Sequence, residues 1–192
     1  MIDSSTSAVN TFYDLVASNF GVAQKRKRVF IVGVREDIAE GFSYQFPKPT
    51  HGPNTGKDYF LLENALAEMD EWPEGEFSTA PFHGHYLTRN RKRGWKDLSY
   101  TIVAHADHVP LHPIGEPMKN VGKDEWKLQG EQNRRFSWRE CAAIQGLPTK
   151  IEPSGNLAQK YRVIGNAVPP AFGKALLEPI VAFESGIIPG KN

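Results

Sequence analysis

Cysteine is almost missing from this sequence: its 192 residues contain one, Cys141. A single thiol excludes an internal disulfide framework and any zinc site built on cysteine pairs, and it fits a reducing, cytoplasmic setting. Long hydrophobic runs are missing too. The longest, Val29 to Val34, falls far short of the roughly 20 residues a membrane helix needs, and no charged-then-apolar leader follows Met1. No membrane partner is expected. Nor does one sign of charge dominate, since the formal net charge is +1. What matters for partners is therefore where Lys and Arg cluster, not their total. There is no internal repeat and no low-complexity tract. What remains is a chain with 40% hydrophobic and 23% charged residues, a balance that suits one or two folded domains.

Apolar residues run without alternation from Val29 to Val34, between basic residues and Arg35-Glu36-Asp37. Such a run predicts a strand covered on both faces, hence an α/β setting. Pro, Gly, Asn and Thr crowd the stretch from Gln45 to Thr55 and mark a boundary loop. Leu61, Leu62, Ala65, Leu66 and Met69 then recur at helical spacing, which predicts an amphipathic helix over Asp58 to Asp70. Residues 73–135 hold aromatics, Gly, Pro and five of the six histidines, with short candidate strands such as Tyr100 to Ala104. A small, irregular, mostly β unit is expected there. Ser137-Trp138-Arg139-Glu140 fits a capping box at a helix start, and Gly146 and Pro148 stop that helix. Tyr161 to Ile164 reads as a short strand. The following Gly165-Asn166-Ala167-Val168-Pro169-Pro170 reads as the opening of a helix that runs to about Ser185, with Pro179 inside it.

Four groups of residues could carry chemistry. In an extended Gln24-Lys25-Arg26-Lys27-Arg28, alternation puts Gln24, Arg26 and Arg28 on one face, where two guanidiniums and an amide suit phosphate oxygens and a base carbonyl. The same run also fits a solvated charge face at a strand end. Arg89, Arg91, Lys92 and Arg93, with Trp95 beside them, combine charge and an aromatic as nucleic-acid surfaces do, and a solvated loop explains them equally well. His83, His85, His105, His108 and His112 have spacings that can converge on zinc, but no cysteine or acidic ligand accompanies them in a recognised pattern, so no metal is assigned. Gly165-Asn166 ahead of a helix could offer backbone N–H groups and an amide to a polar ligand, or could be a plain helix-entry turn.

Taken in order, these segments resemble the DNA cytosine-5 methyltransferase family. Gly21 to Gly33, with its Gln-x-Arg-x-Arg ahead of a strand, looks like motif VIII. Arg135-Phe136-Ser137-Trp138-Arg139-Glu140-Cys141-Ala142-Ala143-Ile144-Gln145-Gly146-Leu147-Pro148 looks like motif IX, and Ile164 to Pro170 looks like motif X. Between motifs VIII and IX the family places a variable target-recognition domain, and Trp95 to Pro113 is similar to its recurring pieces. The resemblance implies the C-terminal part of a class I S-adenosylmethionine-dependent methyltransferase. Residues 1–44 would end the catalytic-domain sheet and 45–134 would be a small, mostly β recognition domain. Residues 135–192 would return to the catalytic domain.

The family transfers a methyl group from S-adenosylmethionine to carbon 5 of a cytosine flipped out of DNA, often in a restriction-modification setting. By match to motif VIII, Arg28 would face the target cytosine, Arg26 would hold the DNA backbone and Gln24 would order the loop. Arg89, Arg91, Lys92 and Arg93 would add DNA contacts. By match to motif X, Asn166 and Ala167 would close over the cofactor. By match to motif IX, Arg139, Glu140 and Gln145 would be structural.

The chemistry needs a thiolate that adds to carbon 6 of cytosine, and the family's nucleophile sits in a Pro-Cys-Gln loop. Cys141 has neither neighbour and reads as a buried small hydrophobe. A Gly-rich cofactor turn is also missing. The implied partners are DNA and an N-terminal methyltransferase polypeptide that carries the catalytic cysteine. The alternative is a DNA-binding module or remnant that does no chemistry.

Overall fold

The computed structural model describes residues 11–33, 42 and 44–185. It shows a mixed α/β chain with two small two-stranded sheets. Strands β1 (Thr11–Val16) and β2 (Lys27–Val32) run antiparallel, with Thr11 opposite Val32 and Val16 opposite Lys27. A short 3-10 turn over Ala17–Phe20 joins them and ends at Gly21, whose φ of 80° is one that a residue with a Cβ rarely adopts. The Ala17 N–H donates to the Arg26 carbonyl and closes the hairpin.

The apolar run forms a strand but not a doubly covered one. Val29 and Ile31 are 61% and 63% exposed, while Phe30 turns inward to meet the Phe172 ring edge-on. Among the described residues one face of this two-stranded sheet is covered, and alternation sends every second residue to the other. Val34 and Arg35-Glu36-Asp37 lie outside the described residues. On the covered face, Leu15, Ala17, Phe20 and Val22 pack against Phe172 of the last helix.

Three further expectations are corrected. The helix over 58–70 shrinks to α1 (Leu62–Ala65), followed by a turn in which the Met69 N–H bonds to Leu66 O. Leu62 and Leu66 are nonetheless buried, with Ala65 and Met69 packed beside them, because one helical turn plus a tight turn repeats the same spacing. Residues 73–135 are irregular rather than mostly β. Their only regular strands among the described residues are the hairpin of β3 (Lys119–Gly122) and β4 (Glu125–Lys127), supplemented by isolated bridges such as Lys92 with Leu111. Tyr100 to Ala104 belongs to no ladder, and the chain bends at Ala104.

The third correction concerns Tyr161 to Ile164, which is helical and not a strand. It lies inside α3 (Leu157–Asn166). Asn156 caps this helix: its side chain accepts from the Gln159 N–H while the Gln159 side chain accepts from the Asn156 N–H.

The expected capping box at Ser137 is present. In α2 (Trp138–Ile144) the Ser137 hydroxyl accepts from the Glu140 N–H at 3.0 Å, and the Glu140 carboxylate accepts from the Ser137 N–H at 2.7 Å. Gly146 ends the helix at φ 70°. The main core lies where α2 and α3 meet. There Trp138, Cys141, Ile144, Tyr161 and Ile164 pack with Leu62, Ile102 and Phe136. The last helix, α4, spans Pro170–Glu184, opens on Pro170 and contains Pro179. No helix of the described residues is long and apolar enough to cross a membrane.

Candidate nucleic-acid interface

A short basic stretch, Arg89 to Arg93, sends its charges in different directions. The Asn90 side chain accepts from the Lys92 N–H and turns the chain, and the Leu111 N–H bonds to Arg91 O to fix it. Arg89 is exposed. Arg91 lies over the Tyr86 ring at 4.6 Å and donates from Nε to Tyr86 O at 2.8 Å. Burial, and then the neighbouring Arg89, lowers its pKa from the usual guanidinium value. Arg93 stacks over Tyr100 at 4.3 Å.

Lys92 does not fit the DNA-contact expectation. It is 5% exposed, and its ammonium donates to Ile114 O at 2.6 Å, Glu116 O at 2.9 Å and Asn133 Oδ1 at 2.9 Å. All three of its protons are used inside the protein, so none is left for a phosphate. Burial lowers its pKa to about 8.

Arg89 and Arg91 border an open cleft of about 400 Å³, whose walls also include His85, Tyr100, Thr101, Val103, His105 and His108. His105 Nδ1 accepts from the Asp107 N–H, so the ring keeps its proton on Nε2 while it is neutral. The His105 and His108 rings lie 4.6 Å apart. Burial, followed by the nearby His105, Arg91 and His85, lowers the His108 pKa. Guanidiniums, a phenol face and imidazoles around an open cleft can meet phosphate oxygens, base edges and base faces together. Among the described residues no group of three or more His, Cys, Asp or Glu side chains is placed to hold a metal ion.

The Gln-x-Arg-x-Arg segment divides in a similar way. Gln24 is fully buried and its Oε1 accepts from the Ile102 N–H at 3.0 Å. Arg26 is half-buried and donates from Nη1 to Ile102 O and from Nη2 to Gly165 O. Arg28 is exposed, and among the described residues its guanidinium donates to its neighbour's carbonyl, Lys27 O, at 2.7 Å. Of the three, Arg28 alone is presented outward.

Gly165-Asn166 closes a helix rather than opening one, which corrects the expected order. Asn166 is the last residue of α3, and Ala167 is its extended C-cap, with its N–H already bonded to Ile164 O. Two consecutive prolines, which have no N–H, then lead into α4, so few donors face a ligand there. Asn166 itself is exposed.

The three residues matched to motif IX in the sequence all have side-chain partners, Glu140 and Gln145 in the interior and Arg139 partly exposed. Glu140 pairs with Arg134, Arg139 donates to the Glu76 carboxylate at 2.9 Å, and Gln145 Nε2 donates to Ile164 O at 2.5 Å. Several partners were not anticipated: Arg134, Arg135, Glu76, His112 and Tyr161. Arg135 donates to the carbonyls of Ala80 and Asp107 and lies over Phe82. Tyr161 donates to Phe136 O at 2.6 Å. Cys141 is fully buried, which raises its thiol pKa well above normal.

The profile of the C-5 cytosine-specific DNA methylase family matches residues 11–182. The chain belongs to this family. Type II methyltransferase M.BsuRI of Bacillus subtilis is 41% identical over 179 residues, covering 86% of this chain and 40% of that protein. M.MthTI of Methanothermobacter thermautotrophicus is 37% identical over 203 residues, covering 94% and 61%. The methyltransferase EhMeth of Entamoeba histolytica shares the fold, with a TM-score of 0.54 at 20% identity over 91% of this chain and 54% of that one. The methylase chain therefore spans about 40–61% of the curated relatives named here.

Proposed function

We propose that this chain is the target-recognition and cofactor-closing part of a DNA cytosine-5 methyltransferase that works in restriction-modification. The observation that carries this reading is the cleft framed by Arg89, Arg91, Tyr100, His105 and His108, within residues 45–134, where the family places its recognition domain. Phosphate contacts from the outer guanidiniums would position a duplex, and the inner groups would meet base edges.

Arg28 is presented outward on the edge of β2, where it would meet the flipped cytosine. S-adenosylmethionine supplies the methyl group when bound. This chain offers one corner of its site, the exposed Asn166 amide and the Ala167 backbone, which fits a minor share of the contacts and not a whole pocket. The thiolate that adds to the cytosine ring comes from a Pro-Cys-Gln loop elsewhere in the methyltransferase, on an N-terminal polypeptide. Cys141, enclosed in the core, cannot serve.

The test is methyl transfer from labelled S-adenosylmethionine to mixed-sequence duplex DNA, with this chain alone and with an added N-terminal methyltransferase polypeptide. Duplex binding by the chain alone and transfer only in the mixture are expected. Binding without transfer, with the added polypeptide folded and cofactor-competent, would leave a DNA-binding module that does no chemistry.

A further inference from the structure

The segment from Tyr100 to His105 has two sides. Tyr100, Thr101, Val103 and His105 face the cleft. On its other side, the N–H and carbonyl of Ile102 are both held by side chains, Gln24 Oε1 at 3.0 Å and Arg26 Nη1 at 3.2 Å. These side chains stand in for the ladder partners that the buried Ile102 backbone groups would otherwise lack outside a sheet. The second arm of the Arg26 fork, Nη2, reaches Gly165 O at 3.4 Å, one residue before the Asn166–Ala167 turn. The backbones also touch directly: a Cβ placed on Gly165 would lie 2.4 Å from Ala104 N and 2.5 Å from the Val103 carbonyl carbon. Only glycine permits that approach.

We propose that Arg26 is a positioning residue that fixes the Asn166–Ala167 turn against the back of the recognition cleft, so that the two move as one body. It does this through its planar fork, which serves two carbonyls at once, and not by holding the DNA backbone. A lysine ammonium at the same place, a point donor on a flexible stem, would not reproduce the fork. The inference rests on the proposed reading of the cleft and the turn, but its mechanical part needs neither ligand.

The test is residue-resolved amide hydrogen exchange on the full chain, with wild type compared with Arg26→Gln and Arg26→Lys. Arg26→Gln is expected to speed exchange at Ser99 and Ala167 together, by about ten-fold or more, and Arg26→Lys by an intermediate amount. The amides of Cys141 in α2 and of Gln145 at its C-cap should be unchanged, which shows that the core is intact. Gly165→Ala approaches the same joint from the other side and should loosen both sites with Arg26 in place. Faster exchange at only one site, or at neither, overturns the proposal.

Titration with duplex DNA adds a readout that a merely structural arginine would not move. Binding in the cleft should perturb the Ala167 amide in wild type and leave it silent in Arg26→Gln. An Ala167 response that survives Arg26→Gln overturns the coupling. If Arg89→Ala leaves duplex affinity unchanged, the reading of the cleft fails, while the exchange experiment still decides the role of Arg26.

Discussion

Arg134 and Glu140 face each other as a fork on a carboxylate inside the core, with Nη1 to Oε2 at 2.8 Å, Nη2 to Oε1 at 2.7 Å, and both side chains 1% exposed. The same carboxylate caps α2 through the Ser137 N–H, and the same guanidinium holds Glu71 O. Removing one member leaves the other charged and buried. Glu140→Gln should therefore cost about 3–5 kcal/mol of stability. The Arg134→Met, Glu140→Leu double variant should cost much less than the sum of the single variants, as read from urea denaturation. Additive losses would show that the two side chains act separately.

His112 sets the acid limit. Its Nδ1 accepts from the Ile114 N–H, so its proton sits on Nε2, 3.4 Å from Glu140 Oε1. Glu140 has already given its charge to Arg134, and burial, followed by Arg134 and Lys92, lowers the His112 pKa from 6.5 to about 3. The unfolded chain binds this proton first as pH falls, so the stability that His112 contributes is whole above pH 6.5 and is lost progressively toward pH 3. The loss by pH 5 should be about 2 kcal/mol. In His112→Asn, whose amide oxygen can still accept from Ile114, thermal denaturation across this range should show a shallower pH slope.

Two neighbouring basic residues should behave in opposite ways. Arg89→Ala is expected to weaken duplex binding and to lower the slope of log affinity against log salt by about one, with stability unchanged. Lys92→Met should leave that slope alone and destabilise the fold by about 2–3 kcal/mol, because three acceptors, the buried Ile114 carbonyl among them, lose their donor. A salt slope that falls in Lys92→Met would place its ammonium on DNA after all.

Among the described residues the Arg28 side chain hydrogen-bonds to its neighbour's carbonyl, an exposed local contact, so its removal is expected to leave the fold unchanged. In the complete methyltransferase, Arg28→Ala is expected to abolish methyl transfer while duplex affinity and melting temperature stay within experimental error. Unchanged turnover would remove the role assigned to it.

Signals that act within a few residues were legible in the sequence. The Ser137–Glu140 box, the stop at Gly146 and the proline start of α4 all work over one helical turn. α3 carried the same kind of signal in Asn156 and Gln159, but the Tyr-Arg-Val-Ile run read as a strand because β-branched residues are weighed as strand formers without regard to a cap nearby. Interactions far apart in the chain left no trace. Arg135 finds its carbonyl partners 28 and 55 residues away, and the Lys92 acceptors lie 22, 24 and 41 residues on. A basic run shows how many charges it has and not which way each will face. For that reason Arg28 and Arg89 stay outward while Arg26 and Lys92 turn in.

The enclosure of Cys141 gives the chain a built-in clock. As the single thiol in 192 residues, fully covered and held protonated by its surroundings, it is shielded from alkylating reagents until the core around Tyr161 and Trp138 opens. The rate at which a thiol reagent consumes it therefore counts openings of the core one molecule at a time. A substitution in the recognition cleft that leaves this rate unchanged has altered the surface without disturbing the body that carries it.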